Sequence, residues 1–188
     1  MLKIKKNNLR DNSEELLDKI TVLQNDINAF FGFETISVVN IGSEEKVIEF
    51  AILFAKAFEK NNSKTLIIDC NFYNPHLFEK YSVLEKDNII TCSEGIDVYS
   101  PSAQVYPSEF FRNKALDELI EKNKDKYKHF IIVSPNIKEH KDFLVTSETI
   151  NCSLLVVEKN VSKKSDVFDA AHYMEDNNLK LATIVVLS

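Results

Sequence analysis

Two hydrophobic rhythms alternate along this chain. Short β-branched runs with no polar alternation occupy residues 34–40, 65–70, 130–133, 152–158 and 181–187, which is how strands buried on both faces read. Between them, apolar residues return every three or four positions. Leu16, Leu17, Ile20, Leu23 and Ile27 predict a helix over 12–30, with Ser13 as its cap ahead of Glu14 and Glu15. Val47, Phe50, Ala51, Phe54, Ala55 and Phe58 predict a second helix over 46–60, after a turn at 41–45. Phe110, Phe111, Ala115, Leu116, Leu119 and Ile120 mark one helix over 108–126, capped by Ser108. Further helices are expected over 142–150 and 163–176, and brief extended pieces at 89–91 and 96–100 around Gly95. Pro135 is expected to stop the strand that begins at Phe130. Strands alternating with helices imply right-handed crossovers, hence an α/β fold with a mostly parallel central sheet flanked by helices.

Composition narrows this little further. The 188 residues contain no Pro- or Gly-rich linker and read as a single domain over 1–188. With 23 basic and 29 acidic residues the net charge is −6, which argues against nucleic acid as a partner. No apolar run reaches the roughly 20 residues of a membrane helix, and the N-terminal stretch has no apolar signal core, so a cytoplasmic location is expected. Cys70, Cys92 and Cys152 are widely spaced and form no C-x-x-C pair, so neither a disulfide framework nor a zinc site is expected. Three glycines in the whole chain leave little for tight phosphate-wrapping turns.

Four segments carry a resemblance. K-V-I-E-F-A-I-L-F-A-K-A-F from Lys46, K-T-L-I-I-D-C-N-F-Y-N-P from Lys64, V-Y-P-S-E-F-F from Val105 and Y-K-H-F-I-I-V-S-P-N from Tyr127 follow one another in a familiar order. In that order the chain resembles the cytoplasmic kinase domain of bacterial tyrosine kinases of capsule and exopolysaccharide synthesis. These belong to the deviant P-loop ATPases that include the Min and Par proteins. The resemblance implies a three-layer P-loop NTPase-like fold, with the helix after the phosphate loop at Lys46, the second acidic motif at Asp69 and the Walker B strand at Phe130.

The departures from the family pattern fall on its chemistry. A working loop, G-x-x-x-x-G-K-[ST], wraps phosphates in backbone amides, neutralises them with Lys and holds Mg²⁺ with the hydroxyl. Aligned on Lys46, the first glycine is Asn40, the signature lysine Ile41, the last glycine Glu45 and the hydroxyl Val47. Of the second motif Asp69 remains, but its partner acid is Asn71 and its arginine Tyr73; the Walker B acid is Val133. The arginines of the family's ring-forming N-terminal helix have no counterpart, and no tyrosine cluster follows the last strand as far as Ser188. Gly42, Lys46 and Asp69 are therefore the vestigial nucleotide-binding positions.

Each has a plainer reading. Lys46 reads as a solvated first-turn lysine beside two acids, Asp69 as a strand-end acid bonded to nearby loop amides, and Glu44 and Glu45 as acids favoured by the helix dipole. His76, His129, His140 and His172 lack ligand spacing, and the phenylalanines read as core. The expectation is a catalytically inactive pseudo-ATPase or pseudokinase, with ATP and Mg²⁺ binding lost or weak and no metal or catalytic residue. Its implied partner is a protein: an active paralogue or a membrane-bound co-polymerase that recruits it to the inner face of the membrane. The alternative is a weak nucleotide-binding ATPase or tyrosine kinase with a non-standard site.

Overall fold

The computed structural model describes residues 2–4, 13–31, 34–60, 63–74, 82–86, 89–92, 95–100, 107–112, 114–141 and 148–187. In chain order the elements are β1 (Leu2–Ile4), α1 (Ser13–Phe31), β2 (Thr35–Asn40), α2 (Glu44–Glu59), β3 (Thr65–Asp69), β4 (Ser82–Lys86), β5 (Ile89–Cys92), β6 (Asp97–Tyr99), α3 (Pro107–Arg112), α4 (Ala115–Asn123), β7 (His129–Asn136), β8 (Cys152–Glu158), α5 (Lys164–Asp176) and β9 (Leu181–Leu187). The strands form one sheet in the order β1-β9-β8-β2-β7-β3-β6-β5-β4. From β1 to β6 every pairing is parallel; β5 and β4 add an antiparallel edge.

The strands that read as filled on both faces are so placed because helices cover both faces. Ile36, Val38, Ile67, Ile131, Leu154 and Val156 pack with α2 and the α1 residues Ile20, Leu23 and Ile27. Val39, Leu66, Ile68, Ile132 and Leu155 point the other way, to Phe110, Phe111, Leu116, Ala170 and Met174 of α3, α4 and α5. Helix α2 lies between the sheet and α1. Its burial therefore extends beyond one stripe, to Ile48, Ile52 and Ala57 as well. Phe50 and Phe54 stack at 5.6 Å and Phe58 meets Phe54 edge-on at 5.1 Å, so these rings are core, and Cys70, Cys92 and Cys152 are buried and outside any disulfide.

Three expectations are corrected. The single helix expected over 108–126 is two helices, because Lys114 takes a left-handed conformation (φ 58°) that no helix interior accommodates. The break lets Phe110, Phe111 and Leu116 all reach the same core. Strand β7 runs through Pro135 to Asn136 instead of stopping. Its register against β2 passes from Val38↔Val133 to Asn40↔Asn136, one extra residue on β7, and that bulge accommodates the missing proline donor. Strands β1 and β4 were not foreseen; both lie at sheet edges, where pairing needs little apolar signal. The helix expected over 142–150 falls mostly on 142–147, outside the described residues. Among the described residues no helix is long and apolar enough to cross a membrane.

Candidate functional site

Strand β2 is central, with β7 on one side and β8 on the other. From β2 the chain moves by α2 to β3, while from β8 it moves by α5, on the opposite face, to β9. The strand order reverses there, and open parallel sheets bind ligands at such a reversal, beyond the carboxyl ends of the strands. Residues 41–43, the head of α2, Asp69 and Glu158 all occupy these strand ends.

The loop amides all have acceptors within the protein. Asn40 N–H donates to Ser134 Oγ at 3.0 Å, Ile41 N–H to the Val156 carbonyl at 3.1 Å, and Gly42 N–H to Asn40 Oδ1 at 2.7 Å. Ser43 N–H donates to Glu158 Oε2 at 3.0 Å. Lys46 lies in the first turn of α2, and its ammonium meets Glu158 Oε1 at 2.8 Å. The expected solvated lysine is thus an ion-paired one, with the lysine side chain 28% and the glutamate 10% exposed. Burial alone would raise the Glu158 carboxyl, but the Lys46 hydrogen bond and the Ser43 amide outweigh it and hold it below the usual carboxylate range. Gly42 makes this approach possible: a Cβ there would stand 3.0 Å from Glu158 Cβ.

On the other side of the α2 head, Glu44 is held by two amides. Asn71 Nδ2 donates to Glu44 Oε1 at 2.7 Å and Asn74 Nδ2 to Oε2 at 2.9 Å. Asp69 behaves as the sequence suggests, its Oδ1 accepting from Asn71 N–H at 2.9 Å. Its second oxygen and Asn71 Oδ1 are both buried with no hydrogen-bond partner. Burial pushes the Asp69 carboxyl up to about 8, helped by the Glu44 charge and opposed by the Asn71 amide. Val47 and Val133 are buried in the apolar cluster between α2 and the sheet.

The structure therefore brings Gly42 and Lys46 together through Glu158, and links Asp69 to the head of α2 through Asn71 and Glu44. Sequence reasoning missed Glu158. A usable signal was present: the buried run CSLLVVE ends in an acid at the carboxyl end of a central strand. A cleft of about 420 Å³ lies elsewhere, between Ile137, Lys138 and Lys141 after β7 and Asp166, Ala170 and Tyr173 of α5. None of Gly42, Lys46 and Asp69 lines it.

No protein-family model and no curated protein matches the chain. Solved structures do. The kinase domain of the Escherichia coli tyrosine kinase ETK superposes with a TM-score of 0.76 at 16% identity, over 95% of this chain and 78% of that one. This is the fold of the bacterial tyrosine kinase domains. The chimerical protein CapA2B2 gives a TM-score of 0.81 at 18% identity, over 98% of this chain and 92% of that one. MinD in the Aquifex aeolicus MinC:MinD cell division complex is more distant, with a TM-score of 0.58 at 19% identity, over 81% and 68% of the two chains. The P-loop NTPase-like architecture expected from the four segments is thus present, and the neighbours include the kinase and Min branches that the segments resemble.

Proposed function

We propose that this chain is a catalytically inactive pseudo-ATPase or pseudokinase, its fold serving as a protein-interaction or regulatory module. One observation carries the reading. Val47 and Val133, aligned with the hydroxyl and the acid that bind magnesium in the resembled family, are 1% and 3% exposed within an apolar core. A divalent cation needs oxygen ligands there, and phosphoryl transfer depends on metal and positioning for nearly all its catalysis. The residues present do not fit a magnesium-bound triphosphate. The partner in this reading is a protein, an active paralogue or a membrane-bound co-polymerase, in an assembly for polysaccharide synthesis or export. Such a partner would bring the chain to the inner face of the membrane.

ATP hydrolysis by the purified chain tests this. The expected rate equals that of buffer and does not change in Lys46→Ala; turnover abolished by Lys46→Ala would overturn the reading. A second reading, slow turnover with a non-standard site, draws on the unpartnered Asp69 Oδ2. It requires turnover that Asp69→Asn removes.

A further inference from the structure

We propose that helix α5 is a self-docking surface: two copies of this chain pack their α5 helices antiparallel through Phe168 and His172, the lysine end of each lying against the acidic end of the other. This goes beyond the reading above, whose partner is a different protein, and it does not depend on the loss of nucleotide chemistry.

The helix has two sides of unlike use. Val167, Ala170, Ala171 and Met174 pack into the core on their face of the sheet. Lys164, Phe168, His172 and Glu175, at helical spacing, fall together on another side. Phe168 is 69% exposed there, more than any other large hydrophobic side chain among the described residues, and Val161 in the turn before the helix is exposed as well. A single exposed ring is ordinary on a protein surface. The charges on either side of it decide what covers it.

Lys163 and Lys164 open α5, and Glu175 and Asp176 close it, with no basic residue in the last turn. A helix dipole disfavours cations at the amino end and anions at the carboxyl end, so this arrangement costs the single chain stability. Local ion pairs do not offset it. Among the described residues neither Lys164 nor Asp176 has an ion-pair partner, and Glu175 meets only His172 of its own helix, at 3.9 Å. Asp166, the acid of the first turn, is taken by Lys138 at 2.8 Å.

Turned end for end, the order basic, apolar, acidic meets its own complement. With Phe168 of one copy opposite His172 of the other, Lys164 falls opposite Asp176, and two-fold symmetry repeats the contact at the far end. A uniformly basic or acidic partner would satisfy one end of α5 and repel the other; a second copy satisfies both. One helix of 13 residues from each copy makes less than a standard-sized interface, so the dimer is weak and concentration-dependent.

Sedimentation equilibrium of the whole chain, from micromolar to millimolar concentration, tests this on the unaltered protein, Phe168→Ser, Lys164→Glu and the double variant Glu175→Lys/Asp176→Lys. The unaltered chain is expected to pass from monomer to dimer across that range, and each variant alone to associate at least about tenfold more weakly. Mixing Lys164→Glu with Glu175→Lys/Asp176→Lys in equal amounts should restore a dimer of one copy of each. Both charge variants suit the dipole of their own helix better, so their thermal midpoints at low concentration should not fall, which separates lost docking from lost folding. A chain that stays monomeric up to millimolar concentration overturns the proposal. So does a dimer that Phe168→Ser does not weaken, one that neither charge variant weakens, or a mixture of the two charge variants that stays monomeric.

Discussion

The Asn71 side-chain amide donates to the Glu44 carboxylate across 2.7 Å, joining the end of β3 to the first turn of α2. An amide serves here because its neighbour is an acid. Asn71→Asp would set a third carboxylate between Glu44 and Asp69 in a buried position, with the donor gone. It is expected to destabilise the protein by about 2 to 4 kcal/mol at neutral pH, through like charge and a lost charge-assisted bond. Urea unfolding checks this, and part of the loss should be recovered near pH 5, where the new acid takes up a proton and can donate again.

Asp69 gives the protein a stability that declines with pH. Its folded carboxyl titrates at about 8, against an unfolded value of about 3.9. Between these values the unfolded chain has released a proton that the folded chain keeps. Stability from this group is therefore full below about pH 4 and lost as pH rises through 8, with a slope of up to about 1.4 kcal/mol per pH unit. Asp69→Asn should flatten the urea midpoint between pH 5 and 8 and raise it at pH 8. A midpoint in the unaltered chain that rises over this range, with Asp69→Asn parallel to it, would contradict the assignment.

Gly42 is needed for space. In Gly42→Ala the new methyl would press on Glu158 Cβ at 3.0 Å, an atom held by the β8 backbone and unable to swing aside. Overpacking of this kind costs about 1 to 3 kcal/mol. Thermal unfolding should register it, and Glu158→Gly in the same chain, which removes that Cβ, should relieve the contact.

The Lys46–Glu158 pair should show measurable but modest coupling. Its lysine side chain is 28% exposed and partly screened, so a double-mutant cycle is expected to give about 0.5 to 2 kcal/mol. Because Glu158 is held below its usual carboxylate range, its contribution is present above about pH 4.3 and lost as pH falls through the folded value. Glu158→Gln should therefore flatten the acid limb of the stability curve and leave the alkaline limb unchanged.

How much of this was legible in the sequence differs by element. Strand β2, helix α2 and strand β3 were readable because buried parallel strands are continuous apolar runs and Phe50, Phe54 and Phe58 keep helical spacing. The break at Lys114 was not, since a lysine at positive φ carries no turn signal and tertiary packing imposes it. Pro135 misled because a bulge lets a strand continue through a residue that a regular ladder rejects. At the site, Asp69 could be read from its place at a strand end, whereas the partner of Lys46 could not be read from neighbouring residues. Ser43 and Glu158 meet across 115 residues of sequence, and only the order β7-β2-β8 brings them together.

The central claim, that the scaffold persists without nucleotide chemistry, is tested most directly by isothermal titration of ATP into the unaltered chain with and without magnesium. The expected result is no binding, or binding no tighter than millimolar, and no dependence on magnesium. Micromolar affinity that strengthens with magnesium and disappears in Lys46→Ala would contradict it.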